Sequence, residues 1–68
     1  MKIRVKLSRT NQVKEYFLDN GSTAQDLLKE IDLKPDTVII MNKEKPIPID
    51  EKLKEKDQLT IIQVSSGG

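Results

Sequence analysis

The stretch DNGSTAQDLLKEIDLKP, residues 19–35, is where the chain changes its period. Ala24, Leu27, Leu28 and Ile31 recur at helical spacing and make one apolar face. Asn20-Gly21 reads as a turn ahead of it, Ser22 and Gln25 as a capping-box pair, and Pro35 as the stop beyond it. One helix is therefore expected here, and the sequence on either side of it alternates at period two instead. Upstream, MKIRVKLS (residues 1–8) sets Ile3, Val5 and Leu7 against Lys2, Arg4 and Lys6, the pattern of a half-buried strand. RTNQ (9–12) has turn composition and VKEYFLD (13–19) reads as a second strand, so the two form an antiparallel hairpin. The inward set of that second strand is open between Val13 with Phe17 and Tyr16 with Leu18.

Downstream, TVIIM (37–41) is a third strand and NKEKP (42–46) a turn, because Asn tolerates turn geometry and Pro46 cannot continue a central ladder. IPIDEKLKEKD (47–57) is expected to be irregular or to hold one short helical turn. QLTIIQV (58–64) is the last strand, with Leu59 and Ile61 pointing one way and Thr60, Ile62 and Val64 the other. A hairpin, a helix, a strand, a loop and a strand in so short a chain predict an α+β domain. Its mixed sheet has about four or five strands, and the helix packs across one face. If the last strand lies parallel to the first, the helix is the natural crossover between them.

Sixty-eight residues allow one core. Hydrophobic residues are 35% and charged residues 34% of the chain, and because the apolar ones are periodic the composition favours a folded domain over a disordered one. Without Cys the domain is held by packing rather than by disulfides, which fits a reducing, cytoplasmic setting. The longest apolar run, Val38 to Met41, is far short of a spanning helix or a signal-peptide core, so no membrane partner is expected. Lys and Arg number 12 against 11 acidic residues, a formal charge of +1, which argues against nucleic acid as a direct partner. With no His and no Cys there is neither an imidazole base nor a thiol nucleophile, so we expect no catalytic residues, no metal site and no bound cofactor. Glu51, Glu55 and Asp57 belong to a lysine-rich solvated loop, and Gly21 stands outside any phosphate-loop pattern.

The chemistry that remains is at the end of the sequence, where the apolar last strand runs into Ser65-Ser66-Gly67-Gly68. Two adjacent glycines at a given place arise by chance in roughly one chain in two hundred, and an end that merely frays can carry the same residues. An α-carboxylate on Gly68 is ionised at neutral pH and can attack the α-phosphate of a nucleotide to give a mixed anhydride. Small or absent side chains let such a backbone thread a narrow channel, since glycine adopts whatever φ the channel demands. Residues 1–64 are thus read as the folded domain and 65–68 as a flexible tail.

At this point the pattern resembles the ubiquitin-like β-grasp proteins, most closely the sulfur carriers of the ThiS/MoaD type together with the small archaeal modifier proteins. MKIRVKL looks like the opening strand of ubiquitin, and GSTAQDLLKEI is similar to the Gly-x-Thr-x-x-x-Leu-Leu helix start of the sulfur carriers. DQLTIIQVSSGG resembles their last strand and tail. The resemblance implies a carrier rather than an enzyme. An activating enzyme that uses ATP adenylates Gly68, and sulfur from a donor then makes a C-terminal thiocarboxylate for a synthase in thiamine, molybdopterin or tRNA biosynthesis. In the modifier branch the activated glycine is joined instead to lysines of target proteins. Gly67 carries over as the second threading glycine, with Ser66 and Ser65 as the small spacer. Serines stand where ubiquitin has basic tail residues, which puts recognition by ubiquitin-type activating enzymes in doubt. A free chain of this kind is expected to be a monomer. Beside the tail, the alternation of the last strand predicts an outward apolar patch of Ile62 and Val64 with Ile40 of TVIIM next to them, where a partner docks.

Overall fold

The computed structural model describes residues 1–64, so the tail predicted at 65–68 lies outside the described residues. Five strands and one helix follow in the order β1 (Lys2–Leu7), β2 (Gln12–Phe17), α1 (Ala24–Ile31), β3 (Val38–Asn42), β4 (Lys45–Ile47) and β5 (Gln58–Gln63). They form one mixed sheet of spatial order β2-β1-β5-β3-β4. β1 pairs antiparallel with β2 and parallel with β5, and β5 pairs antiparallel with β3. The α+β architecture with a parallel first and last strand is therefore borne out, and α1 lies on the crossover between them.

The period-two positions of β1 and β5 build the core. Ile3, Val5, Leu59 and Ile61 are all at most 2% exposed, and Ala24, Leu27 and Leu28 of α1 are fully buried with them. Val38 and Ile40 complete this layer from β3, and Leu53 joins it from the long loop before β5. On β2 it is Tyr16, with Leu18 just after the strand, that packs against the core, while Val13 and Phe17 face solvent. This resolves the parity that the sequence left open.

Leu53 was not anticipated, and its loop has a second task. The N–H groups of Ala24 and Gln25 donate to the carbonyls of Glu51 and Ile49 at 2.9 and 2.8 Å, while the Leu53 N–H donates to the Ser22 carbonyl at 2.9 Å. The start of α1 is thus closed by backbone from another part of the chain, which satisfies donors that a helix N-terminus otherwise leaves orphaned. The cap itself differs by one residue from the predicted Ser22/Gln25 pair. Thr23 is the N-cap: its hydroxyl accepts from the Asp26 N–H at 3.4 Å, and its own N–H donates to the Asp26 carboxylate at 2.9 Å. Both Ser22 and Thr23 are competent caps, and the choice fell to Thr23 because the Ser22 backbone is engaged with Asp19 and Leu53.

One turn also departs from expectation. Asn42 ends β3, and the two residues with positive φ are Lys43 (51°) and Glu44 (71°), a pairing that the twist of a tight hairpin requires. Pro46 then sits in β4, a three-residue strand at the sheet edge, the position that tolerates a missing N–H. Gly21 has φ 89°, and nothing approaches the position of its absent Cβ within 4 Å, so backbone conformation rather than space selects glycine there.

The cap assignment has a direct check. Thr23→Ala is expected to cost about 1 kcal/mol in urea unfolding, whereas Ser22→Ala, which removes a hydroxyl without a capping bond, stays within about 0.5 kcal/mol.

Candidate functional site

The face of the sheet away from α1 is set by the residues that alternate with the core. On β5 these are Thr60, Ile62 and then Val64, and on β3 they are Ile39 and Met41. The register places Ile39 opposite Ile62 and Met41 opposite Thr60. Ile39 is 42% and Val64 54% exposed, and Ile62 is half-buried between them. An apolar strip thus runs along the last strand toward its C-terminal end, where the Val64 N–H donates to the Thr37 carbonyl at 2.9 Å and ties down the chain just before the tail.

Ile62 and Val64 stand on this outward face, as the alternation requires. Ile40 does not: it is 3% exposed and pairs with Ile61 inside the core. The correction follows from register. An antiparallel partner of a core residue points to the core as well, so the outward member of TVIIM beside Ile62 is Ile39. The run Val38-Ile39-Ile40-Met41 is apolar at every position and gave no parity signal of its own; only its pairing with β5 decides it. Gly68, Gly67, Ser66 and Ser65 lie outside the described residues, one step beyond Val64.

Beside the apolar strip, β1 presents Lys2, Arg4 and Lys6 outward. Glu15 of β2 sits opposite Arg4 and accepts from its guanidinium at 3.2 Å, with the Lys2 ammonium 3.6 Å away. The Arg4 hydrogen bond, aided by the charge of Lys2, holds the Glu15 carboxyl below its usual range. At the other end of the column, the Lys2 backbone N–H donates to the Glu55 carboxylate at 2.7 Å, and this bond lowers the Glu55 pKa. The Lys56 N–H donates to the Lys2 carbonyl and the Arg4 N–H to the Asp57 carbonyl, both at 2.9 Å, so residues 55–57 extend the β5 side of the ladder along β1. Among the described residues no group of three or more His, Cys, Asp and Glu side chains is arranged to hold a metal, and no helix is long and apolar enough to cross a membrane.

A helix crossing one face of a five-stranded mixed sheet, with a parallel central pair and the last strand feeding the tail, defines a ubiquitin-like β-grasp protein. The solved structures agree on the fold. The small archaeal modifier protein SAMP1 of Haloferax volcanii superposes with a TM-score of 0.77 over all of both chains at 16% identity. The ubiquitin of Caldiarchaeum subterraneum gives 0.75 over 100% of this chain and 98% of its own at 19% identity. The profile of the family described as small archaeal modifier protein 2 matches residues 1–65, and the chain belongs to that family. In sequence it is also 27% identical over 60 residues to the sulfur carrier protein TtuB of Thermus thermophilus, a match covering 88% of this chain and 92% of that one. The resemblance to sulfur carriers and small archaeal modifiers is thus borne out.

The two lowered carboxylates give a pH dependence whose sign is fixed. A folded-state pKa below the ordinary 4.5 means that each ionised carboxylate favours the fold above that value, and that this contribution is lost as pH falls through the lowered pKa. Thermal unfolding followed by circular dichroism should show the melting temperature dropping on acidification below 4.5, and dropping less in the Glu15→Gln, Glu55→Gln double variant.

Proposed function

We propose that this chain is a sulfur carrier whose reacting group is the α-carboxylate of Gly68. A carboxylate oxygen attacks the α-phosphorus of ATP in the pocket of an adenylating enzyme, pyrophosphate leaves, and an acyl-adenylate forms. A sulfur nucleophile supplied by a donor then displaces AMP and leaves a thiocarboxylate, which a synthase in thiamine, molybdopterin or tRNA biosynthesis consumes. The observation that carries this reading is the match to a sulfur carrier protein over most of both chains. The apolar strip of Ile39, Ile62 and Val64 supports it, because a partner docked there has the tail beside its own surface.

A second reading, as a modifier, is favoured by the description of the family itself. It uses the same adenylate, with a lysine amine of a target protein displacing AMP to form an isopeptide bond. The two readings share every step up to the displacement. Intact-mass analysis of the protein from its host separates them: a mass increase removed by thiol reagents belongs to the carrier, whereas Gly-Gly remnants on lysines of other proteins belong to the modifier.

The tail and the patch are tested separately. Gly67→Val should leave stability within about 0.5 kcal/mol and sharply reduce adenylation measured by pyrophosphate exchange, because a β-branched side chain fills a channel built for bare backbone. Adding one residue after Gly68 should abolish it. Normal activation of the extended chain overturns the role of Gly68, and normal activation of Gly67→Val overturns the threading role of Gly67. Ile62→Glu should raise the KM for the carrier while unfolding changes by no more than about 1 kcal/mol; an unchanged KM removes the strip from the docking surface.

A further inference from the structure

β3 is built of β-branched residues until its fourth position, where Met41 stands. Isoleucine and valine suit a strand better than an unbranched thioether does, so strand geometry by itself does not select methionine here. Its place in the sheet says more. Met41 lies opposite Thr60 across one ladder and Pro46 across the other, on the face turned away from α1, two residues along from the exposed Ile39. It is half-buried, so part of its surface is open to solvent. The chain has one other methionine and no cysteine, and that methionine, Met1, packs against the core. Among the described residues, Met41 alone puts sulfur on the outer face of the sheet.

A thioether on such a face is adaptable, because its flexible and polarisable chain fits an irregular apolar partner. It is also oxidisable. When a hydroperoxide reacts with it, the sulfur lone pair attacks one peroxide oxygen, the O–O bond breaks, and that oxygen's proton passes to the departing hydroxide, which leaves as water. Sulfur is oxidised by two electrons and the peroxide is reduced by two. The sulfoxide is polar, and a reductase can return it to the thioether. In the free chain the new oxygen faces water and keeps its hydrogen bonds there. Beneath a docked apolar partner the same oxygen is stripped of water without compensation, which opposes binding. Oxidation therefore acts on docking and spares the fold.

We propose that Met41 is a redox modification site that sets whether the outer face can dock: the thioether docks, and the sulfoxide made by a peroxide does not until a sulfoxide reductase restores it. This inference rests on the reading of the apolar strip as the surface that meets the adenylating enzyme. Met41 is well placed for the role. Thr60, its partner on β5, lies beside Lys6 of β1 on the other side, so Met41 stands where the apolar strip meets the basic column. A partner that spans the strip and reaches the column covers it. No tail residue is altered by the oxidation, so the encounter with the enzyme changes while the chemistry at Gly68 does not.

The test treats the full chain with hydrogen peroxide, removes the peroxide, and follows each methionine by peptide mapping and mass. Met41 should gain its oxygen at least about threefold faster than Met1, which the core shields. In pyrophosphate exchange with the adenylating enzyme, the Met41 sulfoxide should raise the KM for the carrier at least about fivefold and leave kcat within about twofold. A methionine sulfoxide reductase with a thiol reductant should bring the KM back. The melting temperature should move by no more than about 4 °C. Met41→Leu keeps an apolar side chain of similar size without sulfur, and whatever its own KM, peroxide treatment should not shift it. A KM that rises equally in Met41→Leu, oxidation of Met1 as fast as Met41, or unfolding of the sulfoxide form would each overturn the proposal. If Ile62→Glu raises the KM and Met41 oxidation does not, this inference falls alone; if neither does, the docking strip falls with it.

Discussion

The structure depends on the parallel pairing of β1 with β5 beneath α1. These strands are the opposite ends of the described fold, yet Val5 lies beside Leu59 and Leu7 beside Ile61 in the middle of the sheet. Leu27 and Leu28 seal them from the helix side. Closing so long a loop costs entropy, and a parallel pair repays it only when both strands are covered on one face by an apolar layer. Every other feature follows from β5 being central. Leu59 and Ile61 supply the core, and Thr60 and Ile62 supply the outward face.

That placement divides the work of a small domain. The inner face is spent on stability, since ten buried hydrophobic residues and, among the described residues, no buried polar side chain make up the core. The outer face is graded: apolar along β3 and β5, basic along β1, apolar again at the β2 edge. Under the proposed function the chemistry takes place in a partner's pocket, and a rigid platform beside the terminus is what such a partner requires. The loop before β5 serves the platform. It caps α1 with its own carbonyls and buries Leu53, so that an acidic and lysine-rich segment without helix or strand is nevertheless held against the core.

Much of this was legible in the sequence because it obeys local rules. Ile3, Val5 and Leu7 against Lys2, Arg4 and Lys6, and Ala24, Leu27, Leu28 and Ile31 at helical spacing, reported elements and buried faces alike, since a side chain's face is fixed by backbone period alone. The patch was legible in part. Ile62 and Val64 followed from β5's alternation with Leu59 and Ile61, whereas Ile40 was misplaced because four consecutive apolar residues carry no phase.

What the sequence determined by itself, then, was the kind and order of the elements other than β4, and the face of every strand that alternates; these need only one strand or helix and the solvent. Tertiary structure decided what depends on a second segment. Ile40 rather than Ile39 went to the core because β5 dictates the register of β3, and Tyr16 rather than Phe17 packed inward because Ile3 is its partner. Thr23 rather than Ser22 capped the helix because the backbone of Ser22 was claimed by Leu53, far along the chain. A residue with two acceptable local states is settled by whichever neighbour can bury or hydrogen-bond it, and that neighbour is named only when the chain has folded.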